Sequence, residues 1–488
     1  MTIAIIIIFL ASAALPYLLK KDKHVRNGAL AASLIGGAMV LAMSLPALFA
    51  QSAEWANDWW LMDRFSALIV SLIALVYVSA SLVSFRYIEY EYREGALSLA
   101  QVKLYYSLLP VFVLSMIVAA MTNNSVLVWL ALESTTLSST FLVGLYGRRK
   151  SMEAAWKYII LCSTGITLGL VGVLLTNYAA HLSNPAADLF SLTYLAHPAA
   201  KLSPEIIKWA FIFIFIGFGT KVGLVPMHAW LPDAHSKAPT PISALFSGIL
   251  LNVALMVVIR FKHITDMALG GSGWTDGLFI VFGTLSVILP AMALFIQNNY
   301  KRMLAYSSIE HMGLLALAMA FGPIGIMAAV MHMIGHTLVK SSLFFGAGEI
   351  LMKWQTTKID RIGKLMKFAP YTGILFLLGI LSIVAVPPSL LFVSEYAMFS
   401  QIFIQHWLLA VAVMIFLSLI AFAMLGLTFR LLFEDGEHAE IKEHMEKEGW
   451  NMTHTIIAIQ LAAAVVLSFV LTSHSGTEFI NEIVKTIS

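Results

Sequence analysis

Long apolar segments separated by short polar connections recur from one end of the chain to the other. A helix that crosses a bilayer needs about 20 mostly apolar residues, and fourteen segments approach that length. The pattern predicts one all-α polytopic membrane domain, 1–488, in which the N-terminal segment is the first helix and not a signal peptide. The segments lie near 2–19, 28–49, 64–85, 104–121, 125–146, 157–179, 206–230, 240–261, 276–296, 303–321, 324–350, 370–400, 407–433 and 452–472.

Composition agrees with a chain surrounded by lipid. Hydrophobic residues make up 59% and charged residues 12%, with a mean hydropathy of +0.85, whereas a soluble domain is about a quarter charged. The net charge of +3 is small and its basic residues lie in short loops, which excludes a nucleic-acid surface. Cys162, the single cysteine, excludes an internal disulfide or a cysteine cluster. We therefore expect no cofactor and no metal in this chain.

The charges of the connections indicate an orientation. Most loop lysines and arginines fall in odd-numbered connections, and the even-numbered ones are poor in basic residues, apart from Arg260 with Lys262. Since basic loops stay on the cytoplasmic side, we expect both termini to face outward. An even number of helices agrees with both termini on one side.

Two of the long segments should be broken helices. The seventh contains Pro226 and the twelfth contains Pro387 and Pro388, and proline removes a backbone hydrogen bond and clashes with the preceding turn. Each carries one central ionisable residue, Lys221 or Glu395. Broken helices of this kind form the ion sites of inverted-repeat transporters. We expect two inverted five-helix repeats, about 104–261 and 276–433, in a protein that moves protons or Na⁺.

Glu133 and Lys221 lie at bilayer depth in the fifth and seventh segments. An ionisable residue there costs roughly 2.5–3.5 kcal/mol, so it needs a partner, water or a function. We interpret Glu133 as a carboxylate that pairs with Lys221 and tunes its protonation. The alternatives are a purely structural ion pair, and a lysine that extends to the interface.

His332, His336 and Lys340 are spaced i, i+4, i+8 and therefore lie on one helix face. Such a stripe suits a proton relay, since histidine titrates near neutral pH. Hydrogen-bonded core histidines remain an alternative, and so does a metal site, although the sequence shows no third ligand. Glu395 follows the double proline and is interpreted as the proton's exit site, the alternative being a helix cap.

Several other residues are candidates for proton uptake or relay. His228 and Asp233 lie near the cytoplasmic end of the seventh helix and could feed protons to Lys221, although Asp233 could equally cap the next segment. Glu310 and His311 lie early in the tenth helix and could belong to an uptake path. Glu349, nine residues after Lys340, is expected nearer the cytoplasmic end.

Four motifs resemble those of a known family. The chain is similar to the antiporter-like subunits of respiratory complex I, of Mrp-type cation/proton antiporters and of membrane-bound hydrogenases, and within this group most similar to component F of the hydrogenase-4 and formate-hydrogenlyase type. The motifs are WLALESTTLSS, GTKVGLVPMHAWLPDAHSKAPTPISALFSGILLN, YKRMLAYSSIEHMG and HMIGHTLVKSSLFFGAGEI, over about 125–350, with PP…SE extending the likeness to about 400.

The resemblance implies a fourteen-helix proton-translocating subunit of a redox-driven complex in a prokaryotic cell membrane. Partner membrane subunits would supply electrons and metal centres. Glu133 matches the family's fifth-helix glutamate, Lys221 its seventh-helix lysine, His332 and His336 its connecting histidines, and Glu395 its terminal twelfth-helix residue. A Mrp-type cation/proton antiporter subunit and a scaffold without pumping are the alternatives.

Asn252 departs from the family's pattern. Many relatives carry a lysine in the eighth helix, where this chain has Asn252 in GILLNVALMVVIR. An amide can hydrogen-bond to water but cannot hold a proton. Transfer from Lys221 toward His332 would therefore need water or another group.

Overall fold

The computed structural model describes residues 1–50, 54–183, 189–435 and 448–487. These residues are almost entirely helical, and a short antiparallel pair, β1 (Trp55–Ala56) and β2 (Leu61–Met62), joins the second helix to the third. The prediction of an all-α polytopic fold is confirmed.

The helices follow the apolar segments. The first half contains α1 (Thr2–Leu18), α2 (Asp22–Phe49), α3 (Arg64–Arg93), α4 (Leu99–Met121), α5 (Ser125–Val143), α6 (Arg149–Ser183), the short α7 (Leu192–Leu195), α8 (Pro204–Val222), α9 (Trp230–Lys237), α10 (Thr240–Leu245) and α11 (Leu251–Leu269). The second half contains α12 (Gly273–Leu294), α13 (Tyr300–Met319), α14 (Gly322–Trp354), the short α15 (Leu365–Phe368), α16 (Pro370–Ile383), α17 (Leu390–Gln405), α18 (Trp407–Phe433), α19 (Met452–Thr472) and α20 (His474–Val484).

Every predicted segment overlaps one helix or one broken helix, but the count of fourteen crossings stays a prediction. Among the described residues, eleven spans are long and apolar enough to cross a membrane. The helices α1, α16 and α17 are shorter, and α13 carries charged residues in its first half. The inverted relation between 104–261 and 276–433 also stays a prediction.

The centre of the molecule is formed by Thr240–Leu269 and α14. The apolar window of Thr240–Leu269 is buried throughout, and α14 contacts α10, α13, α16, α17 and α19. The polar residues that are fully buried on these two elements are therefore enclosed by protein and not by lipid: Asn252, His332, His336 and Lys340.

The predicted break in the seventh segment is present. The helix α8 ends at Val222, and Gly223 (φ 85°) adopts the left-handed conformation and donates its N–H to the carbonyls of Gly219 and Thr220. Glycine closes a helix in this way because it has no Cβ to clash. The break thus begins three residues before Pro226, and Lys221 lies in the last turn of α8, where helix carbonyls favour a positive charge.

The predicted break in the twelfth segment separates α16 from α17. Ser389 caps α17 by accepting a hydrogen bond from the N–H of Leu391. Glu395 lies six residues further on and is buried. The alternative that Glu395 caps the broken helix is therefore wrong, because Ser389 has that role.

A π-helical segment, Phe246–Leu250, lies between α10 and α11 and ends two residues before Asn252. Such segments insert an extra residue into a helix and often occur at functional sites. No residue type in this stretch signals the insertion, and the sequence did not predict it.

Glycines bring the backbones of α6 and α8 into close contact. A Cβ built on Gly217 would lie 2.3 Å from the backbone nitrogen of Gly169, and one on Gly172 would lie 2.6 Å from the carbonyl oxygen of Ala210. Small residues allow such approaches between membrane helices. This contact sets the position of Lys221 on α8 against Tyr158 on α6.

Gly217→Ala should therefore destabilise the protein by about 1–3 kcal/mol, the usual penalty for overpacking. The matched control is Gly277→Ala in α12, where an added Cβ meets nothing within 4 Å. Thermal unfolding in detergent measures both. Equal midpoints for the two variants would show that the α6–α8 contact is looser than described here.

Candidate functional site

Lys221 is completely buried in the first half of the molecule. Its Nζ donates hydrogen bonds to Thr136 Oγ1 (2.9 Å) and to the Tyr158 hydroxyl (2.6 Å), and it lies 4.8 Å from the centre of the Tyr158 ring. The Tyr158 hydroxyl also hydrogen-bonds with Ser139 Oγ at 2.8 Å. The alternative of a lysine extending to the interface is wrong, because the side chain has no exposed surface.

Glu133 is half-buried on α5 and does not form the predicted direct pair with Lys221 in the part of the chain described. Its Oε1 accepts a hydrogen bond from Ser163 Oγ at 2.7 Å, and its Oε2 is buried with no partner among the described residues. Thr136 lies one turn after Glu133 on the same face of α5. Its hydroxyl, and not the Glu133 carboxylate, accepts the hydrogen bond from Lys221. The two side chains therefore make no direct contact among the described residues, and the tuning of Lys221 by Glu133 stays a prediction.

The histidines of α14 form a cluster with α13 and α17. The His332 and His336 rings stack with centroids 6.3 Å apart, as their i, i+4 spacing predicts. The Nε2 atom of His332 lies 3.1 Å from His311 Nδ1, and its Nδ1 atom lies 3.0 Å from Ser394 Oγ. His332 therefore connects α13 to the second broken helix.

Two carboxylates complete this cluster. His311 Nε2 lies 3.5 Å from Glu310 Oε2, and His311 Nδ1 lies 3.9 Å from Glu395 Oε1. A cavity of about 30 Å³ lies between Glu310 and Glu395, which is room for a water molecule. Glu395 also lines a groove of about 760 Å³ between α17 and α18. Glu310 and His311, considered above for an uptake path, lie instead beside the expected exit residue.

Asn252 lies between the two halves of the site. It is buried, and its Nδ2 donates to Thr337 Oγ1 at 3.0 Å. The Asn252 Oδ1 atom and both ring nitrogens of His336 have no hydrogen-bond partner in the described ranges. An unpaired buried polar atom costs about 1–3 kcal/mol, so these atoms mark places where water molecules are needed.

Lys340 is buried one turn beyond His336, and its Nζ donates to the Leu304 carbonyl at 2.8 Å. Sequence reasoning missed a further buried lysine, Lys301, which donates to the Ala238 carbonyl at 2.7 Å. It also missed His235, which is stacked on Phe344 with both ring nitrogens unpaired within the described residues. Both occur in basic, loop-like stretches, KRM and HSK, which gave no sign of burial.

The other candidates lie in polar networks away from Lys221. Asp233 pairs with Arg302 and Lys157, and it lies inside α9, which begins at Trp230, so it caps nothing. Glu349 pairs with Arg86 and accepts a hydrogen bond from Asn451.

His228 is half-buried in a turn after the first break. Neither His228 nor Asp233 hydrogen-bonds to Lys221 within the described residues. In the part of the chain that the structure describes, two groups of side chains have ligand atoms close enough to hold a metal ion: His311, His332 and Glu395; and Glu349, Glu448 and His454.

Comparison with known proteins identifies the family. The sequence profile described as NADH:quinone oxidoreductase/Mrp antiporter, transmembrane, matches residues 122–421. The chain belongs to this family. The predicted resemblance is thereby confirmed, as is the prediction of a multi-pass membrane protein, while the outward orientation of the termini stays a prediction.

Individual relatives agree with this assignment. The chain is 37% identical over 356 residues to a hydrogenase-4 component F homolog of Methylacidiphilum infernorum, with 72% of this chain and 75% of that protein covered. It is 29% identical over 450 residues to hydrogenase-4 component B of Escherichia coli, covering 88% of this chain and 64% of the relative.

One solved structure superposes over the whole chain. A chain of the membrane-bound sulfane sulfur reductase, an archaeal respiratory membrane complex, matches with a TM-score of 0.81 at 24% identity, covering 100% of this chain and 96% of that one. At this identity the likeness shows the fold alone. This chain therefore has the same fold as that subunit.

Proposed function

We propose that this chain is a proton-translocating subunit of a redox-driven membrane complex of the hydrogenase-4 type. The observation that carries the proposal is the series of buried titratable groups between the two helix breaks, from Lys221 at the first to Glu395 at the second. Buried ionisable residues are tolerated in membrane proteins chiefly where they serve a pathway. The hydrogenase-4 relatives support the choice of complex.

The proposed mechanism begins with a proton on Lys221. The ammonium is held by two hydroxyl groups, and the partly unpaired carboxylate of Glu133 supplies the nearby negative charge. A conformational change that alters the distance between these charges changes the affinity of Lys221 for its proton. A change that brought the two charges to 4 Å, closer than they lie here, would make them interact by about 4 kcal/mol at an effective dielectric constant of 20. Moving one charge against 100 mV takes about 2.3 kcal/mol, so the coupling is sufficient.

The released proton then passes to the histidine cluster. We propose that water at the unpaired Asn252 Oδ1 would carry the proton to His336. The His332–His311 contact of 3.1 Å then allows transfer from ring to ring. Glu395 receives the proton and releases it into the groove between α17 and α18. Electrons and metal centres belong to partner membrane subunits, and this chain contributes no redox cofactor. The basic loops face the cytoplasm of a prokaryotic cell, and both termini face outward.

Asn252→Leu should lower the rate of redox-driven proton transfer about tenfold, since it replaces the amide that holds water with a group that cannot. Asn252→Ser, which leaves a hydroxyl and space for water, should retain most of the rate. A pH-sensitive dye in vesicles that carry the complex measures both. If Asn252→Leu is as fast as the wild type, protons do not pass this residue.

Subunit composition tests the proposed type of complex. A tagged chain purified from its native membrane should co-elute with subunits that carry iron–sulfur or nickel centres, and an electron donor should drive proton uptake by the reconstituted complex. The family's Mrp members favour a second candidate, a cation/proton antiporter subunit. Co-elution with small membrane subunits only, together with proton movement driven by a Na⁺ gradient without an electron donor, would establish the second candidate.

A further inference from the structure

His311, His332 and Glu395 approach one another as metal ligands do. His311 Nδ1 lies 3.1 Å from His332 Nε2 and 3.9 Å from Glu395 Oε1, and all three ligand atoms lie within 4.8 Å of one another. In a tetrahedral zinc site with bonds of 2.0–2.1 Å, ligand atoms lie about 3.3 Å apart. The triangle therefore needs only small side-chain movements to close around one ion. The sequence lacked a third ligand for the His332–His336 pair, and the fold supplies two from other helices.

His336 supports this assignment independently. Both of its ring nitrogens are buried and have no hydrogen-bond partner among the described residues. Its ring centroid lies 5.3 Å from that of His311. A buried imidazole without partners is costly unless something binds it, and this one lies next to two members of the triangle, His311 and His332.

The local charge also favours a divalent cation. One carboxylate, Glu395, is in the triangle, and a second, Glu310, lies 3.5 Å from His311 Nε2. Together they can neutralise a 2+ ion, whose burial would otherwise be prohibitive. The positive charge of Lys340 on α14 would repel a bound cation. Its ammonium, however, donates a hydrogen bond to the Leu304 carbonyl.

The surface of the helix bundle comes close to this place at Glu395. Glu395 lines both the internal cavity of about 30 Å³ and the groove of about 760 Å³ between α17 and α18. Its side chain is 12% exposed, whereas that of His311 is 1% exposed. The carboxylate is thus the first ligand that an ion in the groove would meet.

We propose that His311, His332 and Glu395, with His336 adjacent, form a binding site for one divalent transition-metal ion of the zinc class. Imidazole ligands select Zn²⁺, Co²⁺ and Ni²⁺ over Mg²⁺ and Ca²⁺, which prefer oxygen ligands alone. A bound ion occupies the atoms that the proposed proton route uses and therefore inhibits it. That inhibition rests on the proposed function, whereas the binding does not.

Co²⁺ is the probe for the test, because tetrahedral Co²⁺ with nitrogen ligands has intense visible absorption. The purified full-length chain in detergent should show this absorption at one equivalent of Co²⁺, Zn²⁺ should displace it, and excess Mg²⁺ should not. His332→Gln should weaken Zn²⁺ binding about 100-fold, within the range for loss of a metal-site interaction. Glu395→Gln should weaken it as well, and this change at the groove is the less disruptive to folding.

Two control variants make the test specific. His235→Gln removes another buried, unpaired imidazole outside the triangle, and His454→Gln disables the second group of close ligands. Both should bind Zn²⁺ like the wild type. The proposal is overturned if His332→Gln and Glu395→Gln keep wild-type affinity while folded, or if His454→Gln alone abolishes the Co²⁺ absorption. If Zn²⁺ binds the wild-type chain as expected but does not slow proton transfer by the complex, the result counts against the proton route and not against the metal site.

Discussion

Lys221→Ala should reduce redox-driven proton uptake by vesicles about 100-fold, the usual size of a proton-transfer contribution. Lys221 is the only group in the described first half that is both fully buried and charged on a broken helix. Alanine leaves the hydroxyls of Thr136 and Tyr158 with no ammonium to hold. A dye that reports the internal pH, with electron transfer measured in the same sample, gives the result.

Two variants test whether proton uptake requires Lys221 to release its proton. Lys208→Ala removes an exposed lysine from the start of the same helix and should leave uptake unchanged. Lys221→Arg keeps the positive charge but cannot release a proton at any physiological pH, so it should fail like alanine. Full uptake by Lys221→Arg would mean that the residue acts only as a fixed charge.

Glu395→Gln should block release at the other end of the route, again by about 100-fold. Glutamine has nearly the same shape and can still lie against His311 and the groove, but its amide cannot carry a proton. Proton uptake in vesicles is the measurement, with Glu205→Gln, an exposed glutamate in the first turn of α8, as the control. Wild-type uptake by Glu395→Gln would place the exit elsewhere.

The broad architecture could be predicted because lipid imposes a simple rule. A spanning helix needs about 20 mostly apolar residues, so segments such as 64–85 and 407–433 are visible in the sequence. The residues Pro226, Pro387 and Pro388 mark the breaks. The π-helical segment before Asn252 could not be predicted, because an inserted residue is accommodated by packing and leaves no residue-type signature.

The sequence predicted the arrangement of site residues only where they lie on the same helix. The i, i+4 spacing of His332 and His336 correctly predicts a shared face, because helix geometry fixes it. No such rule fixes how close Glu133 lies to Lys221, because the two residues lie on different helices, α5 and α8, whose relative rotation depends on tertiary packing.

Groups from other helices were missed for the same reason. Tyr158 and Thr136 bind Lys221 from α6 and α5, and ordinary hydroxyl residues in apolar helices give no signal of that role. His311 and Glu310 were recognised as titratable, but only tertiary packing reveals that they lie beside Glu395.

The central claim is that Lys221 and Glu395 belong to one continuous proton route, connected through Asn252 and the histidine cluster. The most direct test is the residual proton uptake of the double variant Lys221→Ala/Glu395→Gln compared with each single variant. If Lys221 and Glu395 act in series on one route, proton uptake by the double variant should be no slower than that of the slower single variant, because one block already stops the flow. If each single variant keeps a substantial share of the uptake and only the double variant loses it all, the two residues serve separate routes and the account is contradicted.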